Sequence, residues 1–522
     1  MGNSTRNPNA KTYTRGELTG YLIGLAGQNI IYNIISSGLM YYFQSVIFLP
    51  AMAYSMIVAI ARVWDAVNDP MMGTIVDKTH TKWGKCKPYL LFVPAIICIC
   101  TILPFINRQY STALPMWEKI LVVGWAGLSY ILWGMSYTAG DIPIWGVTSL
   151  MTEDAKDRAK ALALARIVAN VGVIGMAVQF LAPSFKGMFI DKGHNDATAL
   201  QYSMILLAVI VTVFATLLFQ VAGFAVKEKV KQPSEKKPSI KENFRTMWQC
   251  KPFRQLLVSG IIRSPIQLLS TVALTLVMYF FFDNDPGRAL STDNGLNIQL
   301  ILKVLIIGLG IFGGMIVASA FTPSLARKFE KKSLYNFYSI IGAVPFGLIF
   351  VFYLIAGVKI RDEFIWAVIM GITFFAASWA MGGLNVLQSI MIADCVDYEE
   401  YHNNNRPDGI FFSGQSFITK LGAGISTVIS GVIFSIVHWS SDVIADTNAA
   451  LAQGGASFAV DYEKFAATMF FIVAIPPMIG LVLSAVPTMK YALPNDEHKR
   501  ILAALIEKRH GSQTEASEEE VK

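Results

Sequence analysis

Charged residues are scarce in this chain. Asp, Glu, Lys and Arg make up 15% of its 522 residues, whereas about 25% is usual in soluble globular proteins. Hydrophobic residues make up 54%, and the mean hydropathy is +0.48. This composition argues against a set of soluble domains and favours an integral membrane protein.

Cysteine and histidine are also few, with five and six copies in the whole chain. Cys98 and Cys100 lie in an apolar run, where we interpret them as packing residues rather than as metal ligands or part of a disulfide framework. An enzyme within the membrane would need His or Cys ligands or a nucleophile–base pair beside its acids. No segment resembles a P-loop, which argues against ATP drive. The sequence therefore predicts neither an enzyme nor a bound cofactor.

Long apolar runs are abundant. Twelve of them are long enough to cross a hydrocarbon core of roughly 30 Å. Their approximate limits are 17–46, 51–78, 88–107, 119–150, 158–184, 199–226, 253–283, 297–327, 333–357, 363–393, 409–438 and 465–490. We predict an all-α integral membrane protein with twelve transmembrane helices.

The basic residues lie in the connections between these runs. The connections after the second, sixth and eighth runs are rich in Lys and Arg, whereas the connection before the last run is mainly acidic. The positive-inside rule then places both termini in the cytoplasm of a multi-pass cell-membrane protein. We attribute the net charge of +7 to these loop residues, which set the membrane topology, so no nucleic-acid partner is expected. No cleavable signal peptide is evident in the first sixteen residues.

A stretch rich in Lys and Pro separates the first six runs from the last six. We predict an N-terminal bundle over 1–226, a cytoplasmic linker over 227–252, a C-terminal bundle over 253–490 and a cytoplasmic tail over 491–522. The linker is interpreted as a solvated loop, although its basic residues could also contact anionic lipid.

Two aspartates lie in the middle of the second run. Asp65 and Asp69 have the i,i+4 spacing that puts both on one helix face. Each costs roughly 2.5–3.5 kcal/mol at that depth on insertion scales, so a cation, a proton, a basic partner or water must satisfy it. The pattern predicts an ion or proton site. The alternative is a structural ion-pair network with Arg62, Arg166 or Lys420.

A third aspartate lies in the fourth run. Asp141 has Thr138 one turn before it and Trp145 one turn after it. With Asp65 and Asp69 it could form a hard-oxygen site suited to a proton or to Na⁺, in which case the three carboxylates would be metal ligands. An indole face can also stack on a pyranose while the carboxylate accepts hydrogen bonds from sugar hydroxyls. The alternative for Trp145 is core packing or interface anchoring.

Several motifs resemble a known transporter family. The segment Gly73-Thr-Ile-Val-Asp77-Lys78 is similar to the cytoplasmic G-x-x-x-D-R motif of the major facilitator superfamily, with Lys in place of Arg. The family is narrowed by further matches at Arg62 to Gly73, Trp83 to Tyr89, Trp133 to Trp145, Ala393 to Tyr401 and Gln415 to Lys420. Together they resemble the glycoside–pentoside–hexuronide:cation symporters, the family that includes melibiose permease.

The resemblance implies a fold and a set of roles. The fold would be two six-helix bundles, each built from inverted three-helix repeats, that rock around a central site. The cation site would comprise Asp65, Asp69, Asp141 and Thr138, with Lys420 near it; the sugar would contact Asp141, Trp145 and Arg166. Asp77 would act in gating, whereas Asp394 and Asp397 would hold a structural, inside-closing position.

Helix one departs from the pattern. Galactoside-transporting members carry an adjacent Lys-Asp pair there, and ungapped alignment places Gln28 and Asn29 at those positions. Asn29 can still bind sugar through its amide, or it can be a helix-packing residue. The loss of charge weakens a galactoside assignment.

The predicted function is secondary active glycoside, pentoside or hexuronide transport in symport with Na⁺ or H⁺ by alternating access. Its partners would be a sugar, a coupling cation and the lipid bilayer of a bacterial cell. The alternative is a proton-coupled exporter of amphipathic compounds on the same fold.

Overall fold

The chain is almost entirely helical in the computed structural model. The structure describes residues 12–36, 38–79, 81–152, 155–176, 178, 181–229, 245, 247–284, 291–292, 295–403, 408–452 and 460–505. At some positions inside these ranges it describes the backbone alone. All statements below concern this part of the chain.

The longer helices overlap the twelve predicted runs, except for Ser441–Ala452, which lies in the connection before the last run. They are α1 (Arg15–Ser36), α2 (Ala51–Lys78), α3 (Lys87–Ile102), α4 (Met116–Gly146), α5 (Ala155–Ala169), α6 (Asp196–Ala225), α7 (Lys251–Ile262), α8 (Leu268–Phe282), α9 (Ile298–Gly308), α10 (Gly314–Lys328), α11 (Lys331–Ile340), α12 (Ala343–Ala356), α13 (Phe364–Asn403), α14 (Asp408–Ile436), α15 (Ser441–Ala452) and α16 (Val460–Met489).

Short pieces extend or connect these helices. One-turn, 3₁₀ and π segments are Leu39–Tyr41, Tyr42–Val46, Leu103–Phe105, Thr148–Met151, Asn170–Met176, Ala182–Phe185, Gly187–Ile190, Ser264–Gln267, Leu309–Gly313 and Lys359–Asp362. Between α8 and α9, strands β1 (Ser291–Thr292) and β2 (Gly295–Leu296) pair antiparallel, Ser291 with Leu296 and Thr292 with Gly295.

Eight helical segments of the described chain are long and apolar enough to cross a membrane, and a bent pair at α7 makes a possible ninth. The helix α2 is not among them because Arg62, Asp65 and Asp69 interrupt its apolar sequence. A criterion based on apolar length alone therefore misses α2, the span that carries Asp65 and Asp69 of the predicted ion site.

Helix starts follow local chemistry. Pro50 and Pro115 precede α2 and α4 in extended conformation, which fits their fixed φ and missing N–H. The side chain of Asn195 accepts a hydrogen bond from the backbone N–H of Thr198, which caps the first turn of α6.

The described chain forms two compact units. The first comprises Met1–Lys236, Leu274–Asn297 and Ser430–Ala466, and the second comprises Lys237–Ala273, Ile298–Ile429 and Ala467–Lys522. The predicted division into two six-helix bundles flanking a 227–252 linker stays a prediction.

In the first unit, α1 packs closely on α6. A Cβ atom added at Gly20, Gly24 or Gly27 would collide with α6 at Ala225, Ala222 or Ala215, respectively. Small residues permit this approach in a membrane, where packing rather than hydrophobicity drives association. Helix α1 also contacts α4, which brings its polar residues beside the aspartate of the fourth run.

In the second unit, the 40-residue helix α13 packs against α9, α10 and α12. The span of α7 is broken, because Lys251–Ile262 and Ser264–Ala273 are inclined by 50°. Arg263 lies at this break.

Candidate functional site

Arg62 and Asp65 form an ion pair within α2. The guanidinium Nη1 donates to Asp65 Oδ2 at 3.0 Å, and Nη2 donates to the Tyr130 hydroxyl of α4 at 3.2 Å. Asp65 is buried, with 7% of its surface exposed. The direct partner that the sequence offered as an alternative for Asp65 is therefore present, and it neutralises much of that carboxylate's charge.

Asp69 is joined to the fourth predicted span. The Thr138 hydroxyl of α4 donates to Asp69 Oδ1 at 3.0 Å. This bond brings together two of the predicted cation ligands from different helices.

Asp141 is held from two sides through one oxygen. Gln28 Nε2 of α1 donates to Asp141 Oδ1 at 2.7 Å, and Trp145 Nε1 donates to the same oxygen at 3.1 Å. Gln28 also donates to the Tyr137 hydroxyl. The contact with Trp145 fixes its indole beside the carboxylate, as a site for a sugar ring and its hydroxyls requires.

Gln28, rather than Asn29, makes this contact with Asp141. Asn29 Nδ2 donates to the Leu25 carbonyl at 2.9 Å and to Gln28 Oε1 at 2.8 Å, so it orients its neighbour. The sequence pointed to the Gln28–Asn29 pair but predicted a substrate contact for Asn29 alone. The sequence did contain a signal for Gln28, because the ungapped alignment places it where galactoside-transporting members carry the Lys of their Lys-Asp pair.

A small cavity adjoins Asp65. Its volume is about 10 Å³, which is near the lower limit for one water molecule. Arg62 Nε and Trp133 Nε1, from two of the lining residues, are buried without a hydrogen-bond partner in the described structure. The amide Nδ2 of Asn68, between the two aspartates, is likewise buried without one.

Four aromatic rings flank these groups. Trp133 stacks with Tyr130 at 5.7 Å and with Tyr137 at 5.2 Å between ring centroids. Tyr32 of α1 lies 5.3 Å from Tyr137. The row gives the region an apolar wall beside its carboxylates.

Other predicted site residues are only partly placed. Lys420 lies half-buried on α14 in the second unit. Arg166 and Asp77 lie on α5 and α2, but their side chains are outside the described part of the structure. Within the described residues, no group of three or more His, Cys, Asp or Glu side chains could hold a metal ion. The three-aspartate Na⁺ site stays a prediction.

The inner acids of α13 have basic partners. Lys331 Nζ lies 2.5 Å from Asp394 Oδ2, and His498 Nε2 lies 3.1 Å from Asp397 Oδ2 and 3.6 Å from Asp394 Oδ1. This network lies within the second unit and is consistent with a structural role.

The loop before α3 binds a carboxylate from the linker. Backbone N–H groups of Lys85, Cys86 and Lys87 donate to Glu228 at 2.8, 2.7 and 2.8 Å. The anion thus occupies the positive end of α3. Burial, and then the charge of Glu228, raises the pKa of the Cys86 thiol to about 12.

Known proteins resemble this chain over nearly its whole length. Residues 20–495 match the family model described as MFS/sugar transport protein. The chain is 25% identical over 501 residues to the uncharacterized symporter YnaJ of Bacillus subtilis (strain 168), covering 95% of this chain and 96% of that protein. It is 23% identical over 495 residues to the isoprimeverose transporter of Lactiplantibacillus pentosus, covering 94% and 91%.

A solved structure shares the fold. It is a bacterial homolog of the human lysosomal transporter Spinster in an inward-facing and unoccupied conformation, with a TM-score of 0.58 and 13% identity over 91% of this chain and 97% of that one. The likeness confirms the predicted major facilitator fold class.

Proposed function

The chain belongs to the MFS/sugar transport protein family, and we propose that it imports a glycoside or pentoside in symport with Na⁺ or H⁺. It is a membrane transporter and not an enzyme. The observation that carries the proposal is the Asp141 carboxylate, which Gln28 and Trp145 hold at the edge of an aromatic wall. Two relatives, named as a symporter and as an isoprimeverose transporter, support the two parts of the proposal, symport and sugar transport.

The cation is assigned to Asp65, Asp69 and Thr138, with Asp141 as the shared fourth member. Arg62 pairs with Asp65, and the Thr138 hydroxyl donates to Asp69, so both carboxylates of α2 have a partner that orients them. Carboxylate and hydroxyl oxygens suit Na⁺, and a buried carboxylate can equally carry a proton.

Coupling is assigned to one turn of α4. Thr138 contacts the acid of the cation site, and Asp141 would bind the sugar three residues later on the same helix. Occupancy of one site then orients the residue that serves the other. By thermodynamic linkage, the sugar must favour cation binding by the same factor as the cation favours the sugar.

The remaining roles are proposed on the family resemblance. Arg166 and Trp145 would contact the sugar, Lys420 would act near the cation site, and Asp77 would act in gating. Asn29 is assigned to positioning Gln28. Both termini would lie in the cytoplasm of the cell membrane.

Counterflow in proteoliposomes tests the function. Vesicles loaded with one unlabelled glycoside should accumulate the labelled sugar transiently, and an imposed Na⁺ or H⁺ gradient should drive net uptake. A panel of glucosides, xylosides, galactosides and hexuronides identifies the substrate. Exchange of amphipathic dyes without exchange of any sugar would contradict the proposal.

A further inference from the structure

A second cavity, much larger than the one beside Asp65, lies in the first compact unit. Its volume is about 950 Å³, near the upper end of the range of about 300–1,000 Å³ that is usual for small-molecule sites. Its lining residues come chiefly from the loop after α3 and from the starts of α6 and α15, and all belong to the first unit. Trp125 of α4 also lines it and precedes Asp141 by sixteen residues, which is roughly 24 Å along a helix. The cavity is therefore separate from the proposed transport site.

The wall of this cavity is held by hydrogen bonds from three helices. Gln201 Nε2 of α6 donates to the Asn107 carbonyl of the loop. The Thr112 hydroxyl of the loop donates to Asp442 Oδ2 of α15 at 2.7 Å. Lys119 Nζ of α4 donates to the Thr112 carbonyl at 2.6 Å. The loop is thus fixed in place, as is usual for small-molecule sites, which are largely preformed.

Two polar groups of the wall are available to a ligand. Gln109 Nε2 is buried and has no hydrogen-bond partner in the described structure, although Gln109 lines the cavity. Asp442 uses Oδ2 for Thr112, and its Oδ1 makes no hydrogen bond within the described residues. A buried donor without an acceptor is costly, so an acceptor oxygen brought by a ligand would be favoured there.

The rest of the lining suits a neutral molecule. Three aromatic rings line the cavity, those of Tyr110, Trp125 and Tyr202. Of the described lining residues only Arg108 and Asp442 are charged, and Arg108 already pairs with Glu118. The wall therefore offers no surplus positive charge to a phosphate, whereas aromatic faces can stack on the apolar face of a pyranose.

We propose that this cavity is a second sugar site that binds a neutral glycoside apart from the transport site. Gln109 Nε2 donates to a sugar oxygen, Asp442 Oδ1 accepts from a sugar hydroxyl, and the rings of Trp125 and Tyr202 pack against the sugar. The choice of a glycoside as ligand rests on the proposed function as a sugar transporter. The position of the site rests on the cavity itself.

Photoaffinity mapping of the full chain in phosphatidylcholine nanodiscs tests the assignment. The probes are a glucoside and a xyloside that carry a diazirine on the aglycone, and mass spectrometry locates the labelled peptides. At least one probe should label residues 106–114 or 198–205, and excess unlabelled methyl glycoside of the same sugar should remove that label. Label near Asp141 would report the transport site independently.

Substitutions test the two available polar groups. Gln109→Leu and Asp442→Asn should each weaken displaceable labelling of the cavity by about fivefold to tenfold, because one hydrogen bond is lost, and should leave label near Asp141 unchanged. The controls are Gln220→Leu on α6 and Asp446→Asn on α15, which do not line the cavity. If Gln109 had only a structural role, Gln109→Leu would keep full labelling at equal or higher thermal stability.

Three outcomes would overturn the assignment. They are absence of displaceable label from both segments, full labelling in both variants, and labelling of these segments by a photoactivatable phosphatidylglycerol that excess methyl glycoside does not displace. The first outcome needs no variant, so it decides even if a variant does not fold. Displaceable label in the cavity without sugar counterflow would support this site and contradict the transport proposal. Counterflow without label in the cavity would do the reverse.

Discussion

Gln28 and Asp141 are 113 residues apart in the chain, and their side chains meet at 2.7 Å. The amide replaces the cation that galactoside symporters would place at this position of helix one. Gln28 is a neutral donor, so its hydrogen bond orients the carboxylate without adding a positive charge beside it. Asp141 is proposed to accept hydrogen bonds from a sugar and to contact the cation.

Loss of the Asp141 charge should weaken sugar binding and cation stimulation together. Asp141→Asn keeps the side-chain volume but removes the anionic acceptor that both ligands would share. Trp145→Ala should reduce sugar affinity mainly, through loss of the stacking surface. Calorimetric titration of sugar with and without cation separates the two effects. An Asp141→Asn variant with unchanged mutual enhancement would refute the coupling scheme.

Loss of the Gln28 amide should reduce sugar affinity by about tenfold, because a hydrogen bond to a charged group disappears. Gln28→Leu retains the size of the side chain and removes the donor. Asn33→Ala is the control, since its amide donates to the Asn29 carbonyl at 2.9 Å on the same helix. Equal affinities in Gln28→Leu and in the control would show that Gln28 does not orient Asp141.

The two aspartates of α2 should respond differently to neutralisation. Asp65→Asn leaves Arg62 buried without its carboxylate, which should cost roughly 3–5 kcal/mol and lower the melting temperature markedly. Asp69→Asn keeps an oxygen that can accept from the Thr138 hydroxyl, so it should abolish gradient-driven accumulation at near-normal stability. Thermal unfolding and uptake in energised vesicles are the measurements. Normal uphill uptake in both variants would contradict the assignment of the cation site to α2.

Cys86 should resist alkylation at neutral pH. Its thiol is buried and its pKa is raised to about 12, so almost none is thiolate at pH 7 to 8. Glu228→Gln should increase maleimide labelling of Cys86, because the amide cannot accept from all three backbone donors as the carboxylate does. Lys227→Gln, on the preceding residue, should not. Rapid labelling of the wild-type thiol, located by mass spectrometry, would contradict the described loop.

Galactosides should not be the preferred substrates. A site with Gln28 and Asn29 lacks the charged pair of galactoside transporters, so it loses the stronger charge-assisted hydrogen bonds. Competition of unlabelled sugars against a transported glycoside measures the ranking. A clear preference for melibiose over xylosides, glucosides and hexuronides would show that the helix-one departure has no bearing on specificity.

The fold was accessible from the sequence because membrane spans are continuous in the chain. Apolar length predicted the runs that the longer helices overlap, although not α15, and the motif resemblance predicted the family that the comparisons confirm. Contacts within one helix were equally accessible, such as Arg62 with Asp65 at i,i+3 and Asp141 with Trp145 at i,i+4.

Contacts between helices were not accessible in the same way. The hydrogen bond from Gln28 to Asp141 joins α1 to α4 across 113 residues of sequence, and no spacing rule encodes that distance. The 50° bend at Arg263, between Lys251–Ile262 and Ser264–Ala273, was not accessible either, because the apolar pattern does not carry an angle. Assignments of cation and sugar to individual residues stay predictions.

The loop that binds Glu228, here called the Glu228 cradle, comprises residues 84–87. It limits how this chain and its relatives can be recombined. Gly84 has a φ of +118°, and a Cβ atom there would strike the Glu228 carboxylate. The signature Trp83-Gly84-Lys85 is therefore one half of an interaction whose other half begins 143 residues after Lys85. A chimera that joins the first six helices of one homologue to the last six of another must take residue 228 from the same parent as residue 84. A crossover placed before the linker would leave the cradle with a foreign occupant.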